Sequence, residues 1–426
     1  MRNLHLICFI SLIICCTSAC LSSDDDLPNG GIVTGNIHQP NGNQEVEQLH
    51  VGSEADRNSR IDISTPSGDG RFFFYGELQN NNQIGLISTD GSVEWSFVTT
   101  LGIRDLLAPS FTDNLLFAVG ASDSDQDGTS DGGVFMIMES SGAVLSELLY
   151  EIPNQQLWFN SLNIWQEDND SYEILVVGGM SDGTIAKPFI HQFSLPISSI
   201  GSTLEASLFD GYQSFSEIDN SFFLSTRREA DGIYATLNQL ENGIPIQFEL
   251  VRISSDLSSL EWRRPVVGIN GLNSDTRLGQ TLAADAGHIY VIGNTDFGKE
   301  DGLWRAGMVA AIAKEEGNIV WKREISLSER ADDFSSILIR NEQLYIAGTY
   351  STYRVDLQNL GYGFMAKLNK STGEREAFRS FGGDTFLSSF TNLHLKDDLL
   401  VGLGFTNLFS DDEYDNWILT FDRNTL

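Results

Sequence analysis

Leu344-Tyr345-Ile346-Ala347-Gly348 is an apolar run closed by a small residue, and the reading of this chain turns on it because it recurs. It returns as Phe72-Phe73-Phe74-Tyr75-Gly76, Leu116-Phe117-Ala118-Val119-Gly120 and Leu175-Val176-Val177-Gly178. Ile289-Tyr290-Val291-Ile292-Gly293 and Leu400-Val401-Gly402-Leu403-Gly404 follow, with Phe222-Phe223-Leu224-Ser225 as a degraded copy. Copies spaced by roughly 55 residues mark a repeat architecture, in which each unit buries its apolar faces only against its neighbours. After each copy comes a second run with strand-like alternation. These are Ile84–Ser88, Val134–Glu139, Phe189–Ser194, Leu250–Ser254, Met308–Lys314, Phe364–Asn369 and Trp417–Asp422. Several lead through a polar-Gly turn to a bulky residue: Asp90-Gly91 to Trp95, Glu316-Gly317 to Trp321, Thr372-Gly373 to Phe378. Such a turn between two apolar runs signals a hairpin.

A further strand precedes each small-residue run, as in Asp333–Ile337 and Thr385–Ser389. Each unit therefore has four short strands, and seven units close a ring that leaves no open sheet edge. The expected fold is all-β, a seven-bladed β-propeller over residues 45–426. The chain stops at Leu426 with three strands of the seventh unit complete. Glu45–Val51 is strand-like and precedes Ile61-Asp62-Ile63-Ser64, the inner strand of the first unit. The N-terminal strand is expected to complete the last blade, beside Trp417–Asp422. The units resemble the bacterial β-propeller repeats of surface proteins and, more loosely, the quinoprotein propellers. The resemblance is strongest at Gly363-Phe364-Met365-Ala366-Lys367-Leu368 and Phe381-Gly382-Gly383-Asp384. It implies a scaffold and carries no activity by itself. No quinone site carries over.

The first residues suggest an address. Met1-Arg2 supplies a positive charge, Leu4–Cys16 an apolar run too short to span a bilayer, and Thr17-Ser18-Ala19 small residues before Cys20. That is a secretory signal layout. It resembles the lipobox of bacterial lipoproteins, with Thr17 where that family prefers Leu. Leu21-Ser22-Ser23-Asp24-Asp25-Asp26 resembles the surface-export tag of Bacteroidota-type lipoproteins. The resemblance implies a signal peptide at 1–19, a covalent lipid on Cys20, a flexible tether at 20–44 and a place on the outer membrane facing the cell exterior. Cys8, Cys15 and Cys16 would leave with the signal. One cysteine then remains, which builds neither a disulfide nor a zinc site. The net charge of −33 argues against nucleic acid and anionic membrane as partners.

The sharpest local motif is Asp123-Ser124-Asp125-Gln126-Asp127-Gly128-Thr129-Ser130-Asp131. Carboxylates at alternate positions converge on a hard cation where Gly128 permits the sharp turn. The expected ligands of a structural calcium ion are Asp123, Asp125, Asp127, Thr129 through its carbonyl, and Asp131. The pattern is similar to the cation loop of integrin-type propellers and departs from the EF-hand, since its twelfth position is Val134. The same residues also read as an acidic hairpin tip. Trp95, Trp262 and Trp321 share one place in the repeat and are expected to pack blade on blade. Trp158, Phe159, Trp165 and Trp304 fall out of that phase; exposed, they would stack on a sugar or anchor a protein, and buried they would be filler. Arg227-Arg228 and Arg263-Arg264 stand out in so acidic a chain, as salt-bridge partners or as an anion-binding feature. No His-x-x-x-His pair or phosphate loop occurs. The functional expectation is a non-enzymatic binding or accessory subunit that docks another outer-membrane or surface protein. A carbohydrate-binding lipoprotein and a propeller glycoside hydrolase or lyase are the alternatives.

Overall fold

A strand covered on both faces needs apolar residues at consecutive positions. Phe72, Phe73 and Phe74 are all buried, as are Phe117, Ala118 and Val119, so the repeated run marks a strand inside a stack of sheets. The computed structural model describes residues 32–37, 44–51, 59–112, 114–123, 129–241, 244–267, 281–296, 305–325, 327, 331–351, 361–381, 387–396, 398–407 and 415–422.

The described chain is all β apart from three short 3-10 turns. Strands β1 (Ile32–Ile37) and β2 (Gln44–Val51) precede the first blade. Blade 1 is β3 (Arg60–Pro66), β4 (Phe72–Leu78), β5 (Asn81–Ile87) and β6 (Val93–Val98). Blade 2 is β7 (Gly102–Leu107), β8 (Leu115–Ser122), β9 (Gly132–Glu139) and β10 (Val144–Tyr150). Blade 3 is β11 (Gln156–Trp165), β12 (Ser171–Ser181) and β13 (Ala186–Pro196). Blade 4 is β14 (Ser221–Glu229), β15 (Gly232–Glu241), β16 (Ile244–Ile253) and β17 (Leu260–Val267). Blade 5 is β18 (Leu282–Ala284), β19 (His288–Asp296), β20 (Arg305–Ala313) and β21 (Ile319–Ile325). Blade 6 is β22 (Ala331–Arg340), β23 (Gln343–Ser351), β24 (Tyr362–Asn369) and β25 (Arg375–Phe381). Blade 7 is β26 (Ser388–Lys396), β27 (Leu399–Thr406) and β28 (Asp415–Asp422), completed by β2. The protein is a seven-bladed β-propeller, mostly of four-stranded blades.

The glycine that ends the repeated run has a steric reason. The inner strand of six blades carries a β-bulge, leaving Asp62, Arg104, Asn160, Leu224, Ser335 and Thr391 as the extra residues. Opposite five of these bulges stand Gly76, Gly120, Gly178, Gly348 and Gly404. At each, a Cβ would overlap the carbonyl oxygen of the bulged strand. The bulge pushes its backbone toward the neighbouring strand, and only glycine leaves room. In blade 4 the facing residue is Leu237. That corrects the degraded copy: Phe222–Ser225 lies on the inner strand, and the second strand of this blade is β15.

The core is divided among the blade contacts. Seven apolar clusters fill the seven interfaces, from blades 1 and 2 (Ile63, Phe73, Leu106, Leu116) round to blades 7 and 1 (Val401, Ile418, Ile61, Phe72). Tryptophans reinforce the rim. Trp95, Trp262 and Trp321 on outer strands donate their indole N–H to the carbonyls of Ser140, Lys314 and Lys370 at 2.9, 3.1 and 3.0 Å. Each ring lies over a turn glycine of the next blade, Gly142, Gly317 or Gly373, whose φ of +93, +68 or +70° needs glycine for a second reason. The blade-on-blade role expected for these three is observed.

Two blades depart from four strands. Blade 3 has three, and 197–220 runs through 3-10 turns where the fourth belongs. Gln213 bridges the edge of β13 at Ile190, and Asn220 N–H donates to Ala186 O at 2.8 Å. Phe209 of this segment is fully buried on Phe135, Tyr150 and Phe159, so apolar filling replaces the missing ladder. The closing sheet has five strands in the order β1-β2-β28-β27-β26. Strand β2 pairs antiparallel with β28, Gln48 opposite Thr420 and Val51 opposite Trp417. Strand β1 falls within 20–44, the stretch expected as tether, and adds a further strand outside β2. Removing residues through Gly52 strips both strands from β28 and reopens the ring. Residues 53–426 should therefore melt about 5 °C or more below residues 20–426. Equal melting temperatures in differential scanning calorimetry would contradict the closure.

Candidate functional site: the central channel

Inner strands β3, β7, β11, β14, β18, β22 and β26 stand around the axis, and the C-terminal parts of several enclose a cavity of about 510 Å³. These strand ends lead into the first hairpin of each blade, so the cavity lies toward that face.

The bulges turn side chains from one blade to the next. Thr391 Oγ1 donates to Ile61 O at 2.8 Å, Asn160 Nδ2 to Phe223 O at 2.5 Å and Ser335 Oγ to Phe390 O at 2.6 Å. Arg104 donates to Asn160 Oδ1 at 2.9 Å. In the first three, the donor is the extra residue of one bulge and the acceptor carbonyl just precedes the next. A second row runs alongside. Leu162 N–H donates to Asp105 Oδ2 at 3.0 Å, Ser64 N–H to Asn392 Oδ1 at 3.2 Å and Arg228 N–H to Asn163 Oδ1 at 3.0 Å. Inner strands of adjacent blades are too splayed to share a ladder, so side chains satisfy their backbone groups instead. Sequence reasoning missed this belt. Its signal is a polar pair inside an inner strand: Arg104-Asp105, Asn160-Ser161, Ser335-Ser336 and Thr391-Asn392.

Besides Arg104, two titratable groups sit in or beside the belt. Asp105 lines the cavity and also accepts Leu106 N–H at 2.9 Å. Burial pushes its carboxyl up to about 7 despite hydrogen bonds from Leu162, Ser161 and Leu106 that favour the charged form. His394 is buried on the ring of Phe72, 5.3 Å between centroids, and its Nε2 lies 2.8 Å from Ser64 Oγ. Desolvation lowers the imidazole to about 4. Ser64 lines the cavity, so serine and histidine stand at the separation of a nucleophile and its base. An imidazole this weakly basic is a poor proton acceptor at neutral pH. The bond instead ties blade 7 to blade 1, as Asn392 does two residues earlier.

At the mouth, Arg228 lies 3.9 Å above the ring of half-buried Trp165 and pairs with Glu167 at 3.3 Å. Arg227 Nε pairs with Glu229 at 2.7 Å. Burial works to raise Glu229, but hydrogen bonds from Lys314 and Arg227 outweigh it and hold the carboxylate below its usual range. Arg263 is committed elsewhere, to the buried carboxylate of Glu249 through two bonds of 3.0 and 2.9 Å.

The structure separates the other expected site residues. Phe159 is fully buried against Phe189 and Phe209, which removes it from any ligand surface. Trp158 is half-buried, edge-on to Phe222 at 5.9 Å. Asp123, Thr129 and Asp131 flank the acidic loop between β8 and β9, whose base is closed by Asp131 N–H to Ser122 O at 2.7 Å. Strands β8 and β9 meet at this base on the end of blade 2 opposite the β7–β8 hairpin. Asp125, Asp127, Trp304 and Cys20 lie outside the described residues. Among the described residues no group of three or more His, Cys, Asp or Glu side chains is placed to hold a metal.

No protein-family model and no curated protein matches the chain. Solved structures do. The WD40 domain of Neurospora crassa Pan2 superposes with a TM-score of 0.50 at 6% identity, over 84% of this chain and 88% of that one. A prolyl endopeptidase gives 0.44 at 13% identity, over 87% of this chain but 48% of its own length. A luciferin-regenerating enzyme gives 0.39 at 10% identity, over 76% and 92%. At such identities the likeness to the WD40 domain carries the fold alone, and the fold is the seven-bladed β-propeller that the strand order and closure describe.

Proposed function

We propose that this chain is a lipid-anchored binding propeller without catalytic activity, attached through Cys20 and docking an outer-membrane or surface protein. The observation that supports the non-catalytic reading is the use made of Asp105 and His394. The titratable side chains that a channel enzyme would employ are bonded across blade boundaries, where they hold the ring. The anchor rests on the Leu4–Cys20 pattern in the sequence.

Two measurements test the proposal. The wild type should fractionate with membranes and carry acyl mass on Cys20, and Cys20→Ala should be released; an unmodified terminus elsewhere overturns the anchor. The purified protein should show no ester or polysaccharide turnover above a heat-denatured control. Turnover that Ser64→Ala abolishes would overturn the non-catalytic reading and give the Ser64–His394 pair a chemical role.

A further inference from the structure

The cavity mouth has a charge balance opposite to that of the chain. Among the side chains that line the cavity, the charged ones are Asp105, Arg227 and Arg228, in a protein of net charge −33. The carboxylates that pair with the two arginines are outside the lining, and neither is given to its arginine alone and sheltered from water. Glu229 is held by Lys314 Nζ at 2.8 Å as closely as by Arg227 at 2.7 Å, so Arg227 shares its carboxylate with a lysine that also reaches Asp231 at 4.0 Å. Glu167 is 63% exposed, and a pair so open to water contributes little. Arg228 Nε is buried without a hydrogen-bond partner. The Trp165 ring beneath its guanidinium fixes the plane of the fork.

The geometry points to the Arg227–Arg228 mouth as a binding site for a small organic anion bearing a carboxylate or phosphate. A planar guanidinium fork matches such an oxyanion with two parallel bonds. The rest of the lining is mixed, with Ser64, Thr65, Asn163 and Thr226 set between aliphatic side chains; the Ser64, Asn163 and Thr226 groups also bond within the ring, so the arginines supply the main recognition. The volume, about 510 Å³, lies within the range of small-molecule sites. Asp105 fits the same picture, since burial leaves its carboxyl largely uncharged below neutral pH and reduces its repulsion of an anion there. The inference stands apart from the anchor and from any docked protein.

The test is titration calorimetry on residues 20–426 with three probes: glucuronate, inorganic phosphate and glucose. Glucuronate or phosphate should bind saturably, and glucose, which shares the sugar ring and lacks the charge, should not. The affinity should fall as salt rises. Arg227→Gln combined with Arg228→Gln should weaken binding about tenfold or more, as expected for lost charge-assisted hydrogen bonds. Both side chains end an inner strand, and an unchanged melting temperature will verify that the variant folds. Three outcomes would overturn the site: no saturation by either anion up to about 10 mM, glucose binding as tightly as glucuronate, or undiminished glucuronate binding by the double variant. Should the variant unfold, the wild type's discrimination between glucuronate and glucose decides alone.

Discussion

Gly404→Ala should cost about 4 kcal/mol or more, the upper end of what one substitution does. The added methyl would overlap the carbonyl oxygen of Ser389 and crowd the Cα of Phe390. Both are backbone atoms, so no rotamer change relieves the overlap. The strand they belong to must move, and it carries the bulge at Thr391. Thr391 donates to Ile61 O, and Asn392 to Asp62 O at 3.1 Å, so a shift here loosens the join between the last blade and the first. Gly287→Ala is the control, since a Cβ there meets nothing within 4 Å. Its effect should stay within about 0.5 kcal/mol. Urea midpoints for the two variants would measure the difference, and matching midpoints would show that the bulge does not dictate the glycine.

The second large effect is on the pH profile. His394 titrates at about 4 in the folded chain, against 6.5 for a free imidazole. Its contribution is complete above pH 6.5 and is lost as pH falls toward 4, by about 3 kcal/mol. Asp105 runs the other way. Its folded value of about 7 lies above the ordinary 3.8, so its contribution is complete at low pH and is lost as pH rises through 7, by about 4 kcal/mol. Between pH 4 and 6.5 the two losses oppose each other. Each variant should therefore expose the other group. Asp105→Asn should lose stability relative to wild type as the solution is acidified, and His394→Gln as it is made more alkaline. Reading differences from wild type removes the common background of the other carboxylates. Urea midpoints at pH 4.5, 5.5 and 6.5 would check this, and variant profiles parallel to the wild type would contradict it. A constant offset is expected for Asp105→Asn, because one backbone N–H loses its acceptor.

The count of blades was legible because burial on both faces writes unbroken apolar runs, and because the bulge demands glycine opposite. The closing strand was legible from the missing partner of Trp417–Asp422. Blade 4 was misread for a definite reason: Leu237 faces its bulge, while the neighbouring inner strand begins with Phe222-Phe223-Leu224 and imitates the second strand. Blade 3 hides its absent strand because 197–220 still holds Leu204, Phe209 and Phe215, whose irregular spacing fills space without forming a ladder. The channel was legible only in fragments. Arg227-Arg228 stood out by charge, but Ser64 and His394 are 330 residues apart, and no local pattern announces a bond of that span. Phe159 breaks the aromatic phase, which left exposed and buried roles both open, and it does so to meet Phe209 from the irregular segment.

The strand that finishes the ring is made among the first and needed last. Blades 1 to 6 can stack in order of synthesis, each on a finished neighbour. The edge of β28 meets β2 only after nearly the whole chain has emerged. Until then the newest strand offers its backbone to any passing segment, the condition that favours aggregation and exchange between molecules. The entropy of joining distant ends grows only with the logarithm of their separation, so the delay matters more for traffic than for final stability. Residues 44–51 can pair early with β1, but their other edge must stay open, and within reach, until everything behind them has arrived.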